Sequence, residues 1–158
     1  MEINVHIGQI RIAKNGETLQ ALLGSCVGIG LIWKRQGLVG LAHCLLPHAE
    51  KRSGEGEGRF VDQAIPTLVA LMGINIIDRH EIEAVLVGGG NMNNLITNSK
   101  SRLIGDMNVH AAERALKKHG LETTHKDVLG DEGRRLSLSC RDGITDVRIE
   151  KIPRLKAG

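Results

Sequence analysis

Apolar and polar residues alternate at the start of the chain. Ile3, Val5 and Ile7 are followed by Ile10 and Ile12, with the phase broken near Gly8. A period of two puts alternate side chains on opposite faces of a strand, so this stretch reads as one strand with a bulge at the glycine. Asn15–Gly16 is a turn signal. Two apolar runs at residues 26–33 and 38–43 read as strands, and the polar connection Lys34–Arg35–Gln36–Gly37 joins them as a hairpin. The period then changes. Val61, Ala64, Ile65, Leu68, Val69 and Met72 fall on one helical face, predicting a core-facing helix that ends at Gly73 and is kinked by Pro66. Residues 83–87 predict a short strand running into Gly88–Gly89–Gly90. Asn108, Val109, Ala112, Ala115, Leu116 and the closing Gly120 predict a second helix, with Asn108 near its N-cap. Alternation returns at residues 136–140 and 147–149, around the turn Arg141–Asp142–Gly143. The polar stretch at 48–58, with three glycines, reads as a loop. The order of strands, helix, strand, helix and strands points to the α+β class. The expectation is a single layered α/β domain over residues 1–158, with mixed or antiparallel sheets packed with two main helices.

Composition narrows the partners. The 158 residues carry a net charge of +3 with both signs interspersed, and Phe60 and Trp33 are the only aromatics. The core must therefore be aliphatic. Aromatic stacking platforms for single-stranded nucleic acid are missing, so no nucleic-acid partner is expected. No apolar run reaches the roughly 20 residues of a membrane span, and the N-terminus lacks a signal-peptide pattern. The expected location is the cytoplasm, without membrane insertion, with Cys26, Cys44 and Cys140 reduced.

Candidate chemistry gathers at Leu22–Leu23–Gly24–Ser25–Cys26–Val27–Gly28, where a glycine-containing segment enters an apolar strand. Backbone N–H groups around Gly24, Ser25 and Cys26 can point at a developing oxyanion. A cysteine in this setting is a possible nucleophile, although free cysteine is also a common core residue. His43 ends the second strand of the hairpin, so it should lie beside Cys26. A nearby imidazolium lowers a thiol pKa and can serve as acid and base, so Cys26 is expected to react well below about pH 8.5. Neighbours in a strand point to opposite faces, which leaves Cys44 as core filler. Cys140 reads as packing. Cys26, His43, Cys44 and His48 could ligate zinc, yet their spacing matches no paired Cys-x-x-Cys pattern, and neither metal nor cofactor is expected. Gly88–Gly89–Gly90 lacks both the Rossmann and the P-loop signatures, so it reads as a pocket wall or a tight turn.

The run at 23–28 and the motif Ala42–His43–Cys44–Leu45–Leu46–Pro47 together resemble the signature of the chemoreceptor glutamine deamidase family, CheD. The segments at 58–64, 87–92, 104–109 and 130–136 resemble further family motifs in the same order. The resemblance implies conversion of glutamines on methyl-accepting chemotaxis receptors to glutamate, with release of ammonia. It implies a layered fold related to toxin-type cysteine deamidases, with Cys26 as nucleophile and His43 as acid and base. A CheC-type phosphatase is the implied regulatory partner. The family commonly has a threonine five or six residues before the cysteine, where this chain has Ala21 and Gln20. Gln20, through its amide oxygen, and Thr18 are the candidates for the third group. His48 and Ser53 are expected on a substrate-contacting rim. The alternative reading is a non-catalytic adaptor that binds receptor or phosphatase.

Overall fold

The structure is a computed structural model, and it describes residues 1–49, 58–91 and 99–153. Two sheets and two long helices form three layers. The five-stranded sheet comprises β2 (Ile10–Ala13), β4 (Val27–Trp33), β5 (Leu38–Cys44), β6 (Glu83–Gly88) and β7 (Glu122–Val128), in the order β2-β5-β4-β6-β7. The four-stranded sheet comprises β1 (Glu2–Asn4), β3 (Thr18–Leu23), β8 (Gly133–Arg141) and β9 (Ile144–Ile152), in the order β1-β3-β8-β9. Helices α1 (Val61–Met72) and α2 (Ser99–Lys118) cover one face of the larger sheet. Pairing is antiparallel except for β1 with β3 and β6 with β7. No described helix is long and apolar enough to cross a membrane.

The central strand β4 explains the layering. Val27, Ile29, Leu31 and Trp33 point to the helices, where they meet Ala64, Leu68 and Ala112. The opposite face carries Gly28 and Gly30, so the smaller sheet can press close. A Cβ at Gly30 would run into Leu138 of β8. Leu19, Ala21, Leu23, Leu136 and Leu138 fill this second core from the smaller sheet. Burying apolar area on both faces gives the five-stranded sheet two separate sources of hydrophobic stabilisation, each scaling at roughly 25 cal/mol per Å².

The hairpin forms as expected, through a single 3-10 turn at Lys34–Gln36 with Gly37 left-handed. Helix α1 runs from Val61 to Met72, with Pro66 inside it, and stops at Gly73. Two expectations need correction. Residues 3–12 are not one bulged strand: β1 and β2 belong to different sheets, and the chain crosses between them at a turn around Gly8. Along that crossing Val5 N–H donates to Gln20 O (2.7 Å), Gly8 N–H to His43 O (2.9 Å) and His43 N–H to Gln9 O (3.0 Å). Asn108 is not a helix cap, because α2 already begins at Ser99. Strands β3 and β7 and the 3-10 segment Ile76–Glu81 were not foreseen.

Candidate active site

The candidate nucleophile lies in the bend between β3, which belongs to the smaller sheet, and β4, which belongs to the larger one. Three carbonyls of this bend are pinned. Gly24 O accepts from Gly90 N–H (2.9 Å), Ser25 O from the Asn108 side chain (3.2 Å) and Cys26 O from Gly89 N–H (2.9 Å). For Gly89 N–H to reach Cys26 O, the backbone at Gly88 must pass against Cys26. A Cβ at Gly88 would overlap Cys26 O, and its φ of 118° is one that other residues rarely adopt. The glycine run is therefore a tight turn that buttresses the cysteine bend. Among the described residues, the N–H groups of Ser25 and Cys26 donate to no backbone carbonyl.

His43 sits on β5 in register with Gly28, two residues beyond Cys26. Its strand neighbours Val39 and Leu41 belong to the core between the sheets, and so does Cys26. The hairpin therefore puts thiol and imidazole on one face. Both are nearly closed off, with Cys26 6% exposed and His43 4% exposed.

The imidazole is held from an unexpected direction. Nδ1 lies 2.9 Å from Val5 O, on the crossing between β1 and β2. A carbonyl only accepts, so Nδ1 carries the proton, and a neutral ring then has its lone pair on Nε2. That Nε2 is buried and has no hydrogen-bond partner among the described residues. A buried nitrogen lone pair without a partner is costly in a purely structural histidine. Burial lowers the pKa of His43, the Val5 carbonyl opposes this, and His6 adds to the lowering. Burial raises the Cys26 pKa, and its own backbone N–H opposes the rise. Both directions favour the uncharged forms, a protonated thiol and a neutral imidazole, over the thiolate–imidazolium pair expected from the sequence.

Two buried polar side chains brace this arrangement. Asn108 is 0% exposed and donates to Ser25 O and to Leu45 O (3.0 Å), joining the segments that follow β3 and β5. Arg134 is 3% exposed and bonds Asp127 Oδ1 (3.2 Å), Glu132 O (3.2 Å) and Gly88 O (3.5 Å), fixing the glycine turn to the β7–β8 connection.

Residues 45–149 match the family model described as CheD chemotactic sensory transduction. A relative from Bdellovibrio bacteriovorus, named "Probable chemoreceptor glutamine deamidase CheD", is 42% identical over 98% of this chain and 97% of its own length. The chain belongs to the CheD family. A Ruegeria relative is 38% identical over 98% of this chain and 94% of its own, and one from Methanococcus maripaludis is 35% identical over 94% and 95%. Both carry the same description, the Ruegeria one numbered CheD 2. The CheD family model takes in the glycine turn, Asn108 and Arg134 but begins just after Cys44, so Cys26 and His43 are covered by the full-length relatives alone.

In this CheD chain the proposed third groups do not reach the histidine. Leu19, Ala21 and Leu23 face the core, so Thr18 and Gln20 alternate outward. The Gln20 amide nitrogen bonds Asn4 Oδ1 (2.9 Å) and Glu2 Oε2 (3.3 Å) on the outer sheet face. The orienting group is instead the backbone of Val5, which no side-chain motif signals. His48 is exposed and lies 3.9 Å from Asp62 of α1. Ser53 lies outside the described residues. Cys44 points to the helices, away from Cys26 and His43, so the four candidate zinc ligands do not converge. Cys140 is buried between the sheets. Asn108 was legible as a helix-capping residue type and as part of the family-like segment at 104–109, and Arg134 as part of the family-like segment at 130–136, but neither was read as a site residue.

Proposed function

We propose that this protein deamidates glutamine side chains of methyl-accepting chemotaxis receptors, with Cys26 as nucleophile and His43 as the proton carrier. The observation that supports it most is the unpartnered Nε2 of His43, on the same face as Cys26. In the proposed cycle Cys26 Sγ attacks the carboxamide carbon while its proton passes to Nε2. The oxyanion lies against the N–H groups of Cys26 and Ser25, an effect typically worth about 3–4 kcal/mol per donor. The imidazolium then protonates the departing ammonia, leaving a thioester. Water attacks the thioester as Nε2 takes its proton, the thiolate is reprotonated, and glutamate is released. No hydrogen bond joins thiol and imidazole in the free protein, and such contacts often tighten only when substrate binds.

The proposal extends to a cytoplasmic setting, where the receptor helices are the substrate, to a CheC-type phosphatase as regulatory partner, and to the fold kinship with toxin-type cysteine deamidases. What supports that kinship is a layered α/β fold with a cysteine and a histidine on one face of a sheet. One observation favours the non-catalytic adaptor reading: Cys26 is almost fully enclosed and its thiol is pushed up by burial. Ammonia release from a receptor cytoplasmic fragment separates the two. The wild-type protein should release ammonia and Cys26→Ala should release none. Equal release by both proteins overturns the nucleophile assignment, and no release by the wild type favours the adaptor.

A further inference from the structure

Asn108 is completely enclosed, and its amide nitrogen serves two carbonyls, Ser25 O at 3.2 Å and Leu45 O at 3.0 Å. Its Oδ1 is buried without a partner among the described residues. An apolar side chain would fill this volume without that cost. What only the amide supplies is the pair of donors, so their placement carries the information.

A trans peptide is planar, and its C=O and N–H point in opposite directions. Asn108 holds the Ser25 carbonyl toward α2, which turns the Cys26 N–H the other way. The helices cover the face of the larger sheet opposite to the one that carries Cys26 and His43, so this N–H is turned toward the side of the thiol and the imidazole. The second bond, to Leu45 O, holds the chain two residues after His43. One side chain therefore fixes both strand ends from a third element.

We propose that Asn108 is a positioning residue for deamidation. Through the Ser25 carbonyl it aims the Cys26 N–H at the forming oxyanion, and through the Leu45 carbonyl it holds the His43 strand end in place. The inference rests on the nucleophile assignment above. It does not require Asn108 to touch substrate.

The test compares two reactions of the same thiol. Deamidation develops an oxyanion, whereas alkylation by iodoacetamide, a displacement at saturated carbon, does not. Asn108→Ala should lower kcat for ammonia release from the receptor fragment by at least ~10-fold, within the range lost with a misplaced oxyanion donor. KM should stay unchanged, and the alkylation rate of Cys26 should fall far less than kcat. A purely structural role would loosen the bend and move alkylation together with kcat. That result, or an unchanged kcat, overturns the proposal. If Asn108→Ala fails to fold, Asn108→Ser, which keeps one donor, is read by the same measurements. A wild-type protein that releases no ammonia sinks the deamidase reading and this inference with it. An active wild type matched by Asn108→Ala sinks this inference alone.

Discussion

Cys26 and Cys44 occupy the β4–β5 hairpin, one on each side of the same sheet. Cys44 lies under the helices, fully enclosed among Val27, Ala64 and Leu68, and burial drives its thiol pKa far up. Cys26 lies at the end of the inter-sheet core, on the face of the histidine ring, next to pinned carbonyls and to two N–H groups that, among the described residues, have no backbone acceptor. Burial raises its pKa as well, but its own N–H opposes the rise. Nearness in sequence is misleading here. Cys44 adjoins His43 yet faces away from it, while Cys26, far back along the chain, shares its face. Strand alternation decides which thiol shares a face with the imidazole.

Substitutions should separate the two thiols. Cys26→Ala is expected to abolish ammonia release, and Cys44→Ala to leave it near wild type while costing on the order of 1 kcal/mol in urea unfolding, as small core truncations do. Loss of activity in Cys44→Ala would mean that the two faces are not independent. His43→Ala should reduce kcat/KM by at least ~100-fold, the usual scale for removing a general base. Unchanged turnover would remove the imidazole from the account.

Acidity probes the resting protonation state. In the proposed cycle the neutral ring is the base, and burial lowers its pKa below 6.5, so kcat/KM should hold through neutral pH and fall only as pH drops below that value. Stability has the same sign. Between the folded pKa and 6.5 the unfolded chain binds more protons, so stability is complete above that window and is lost as pH falls through it. Cys26 behaves oppositely: its alkylation should be slow at neutral pH and still be rising at pH 9.0. Rapid alkylation at neutral pH would restore the preformed ion pair expected from sequence. The smallest effect should come from Gln20→Ala. Its amide serves Asn4 and Glu2 on the outer face, so turnover should stay close to wild type, and a large loss would contradict that placement.

How much the sequence reveals differs between the same two regions. The hairpin, α1 and the β8–β9 pair follow from local periodicity and turn residues. Strand β3 carries Leu19, Ala21 and Leu23 in alternation, a signal present but short and followed at once by the glycine-containing bend. Strand β7 shows little apolar pattern and depends on parallel pairing with β6. The first half of α2 is polar and contains Gly105, which packs against Gly89, so its helical period is hard to see. At the site, Cys26 and His43 are readable because a hairpin has fixed register. The Val5 carbonyl is not readable, since a backbone acceptor has no residue signature and reaches His43 only because the chain changes sheets between β1 and β2. Asn108 misleads because asparagine favours helix caps, and here tertiary hydrogen bonds outweigh that preference.

Mass spectrometry of receptor co-expressed with this protein tests the central claim most directly. Wild type and Cys44→Ala should each convert defined glutamines to glutamate, a gain of about one dalton per site, while Cys26→Ala leaves the receptor unmodified. The same shift in receptor co-expressed with Cys26→Ala, but not in receptor expressed alone, would show that the chemistry does not pass through this sulfur.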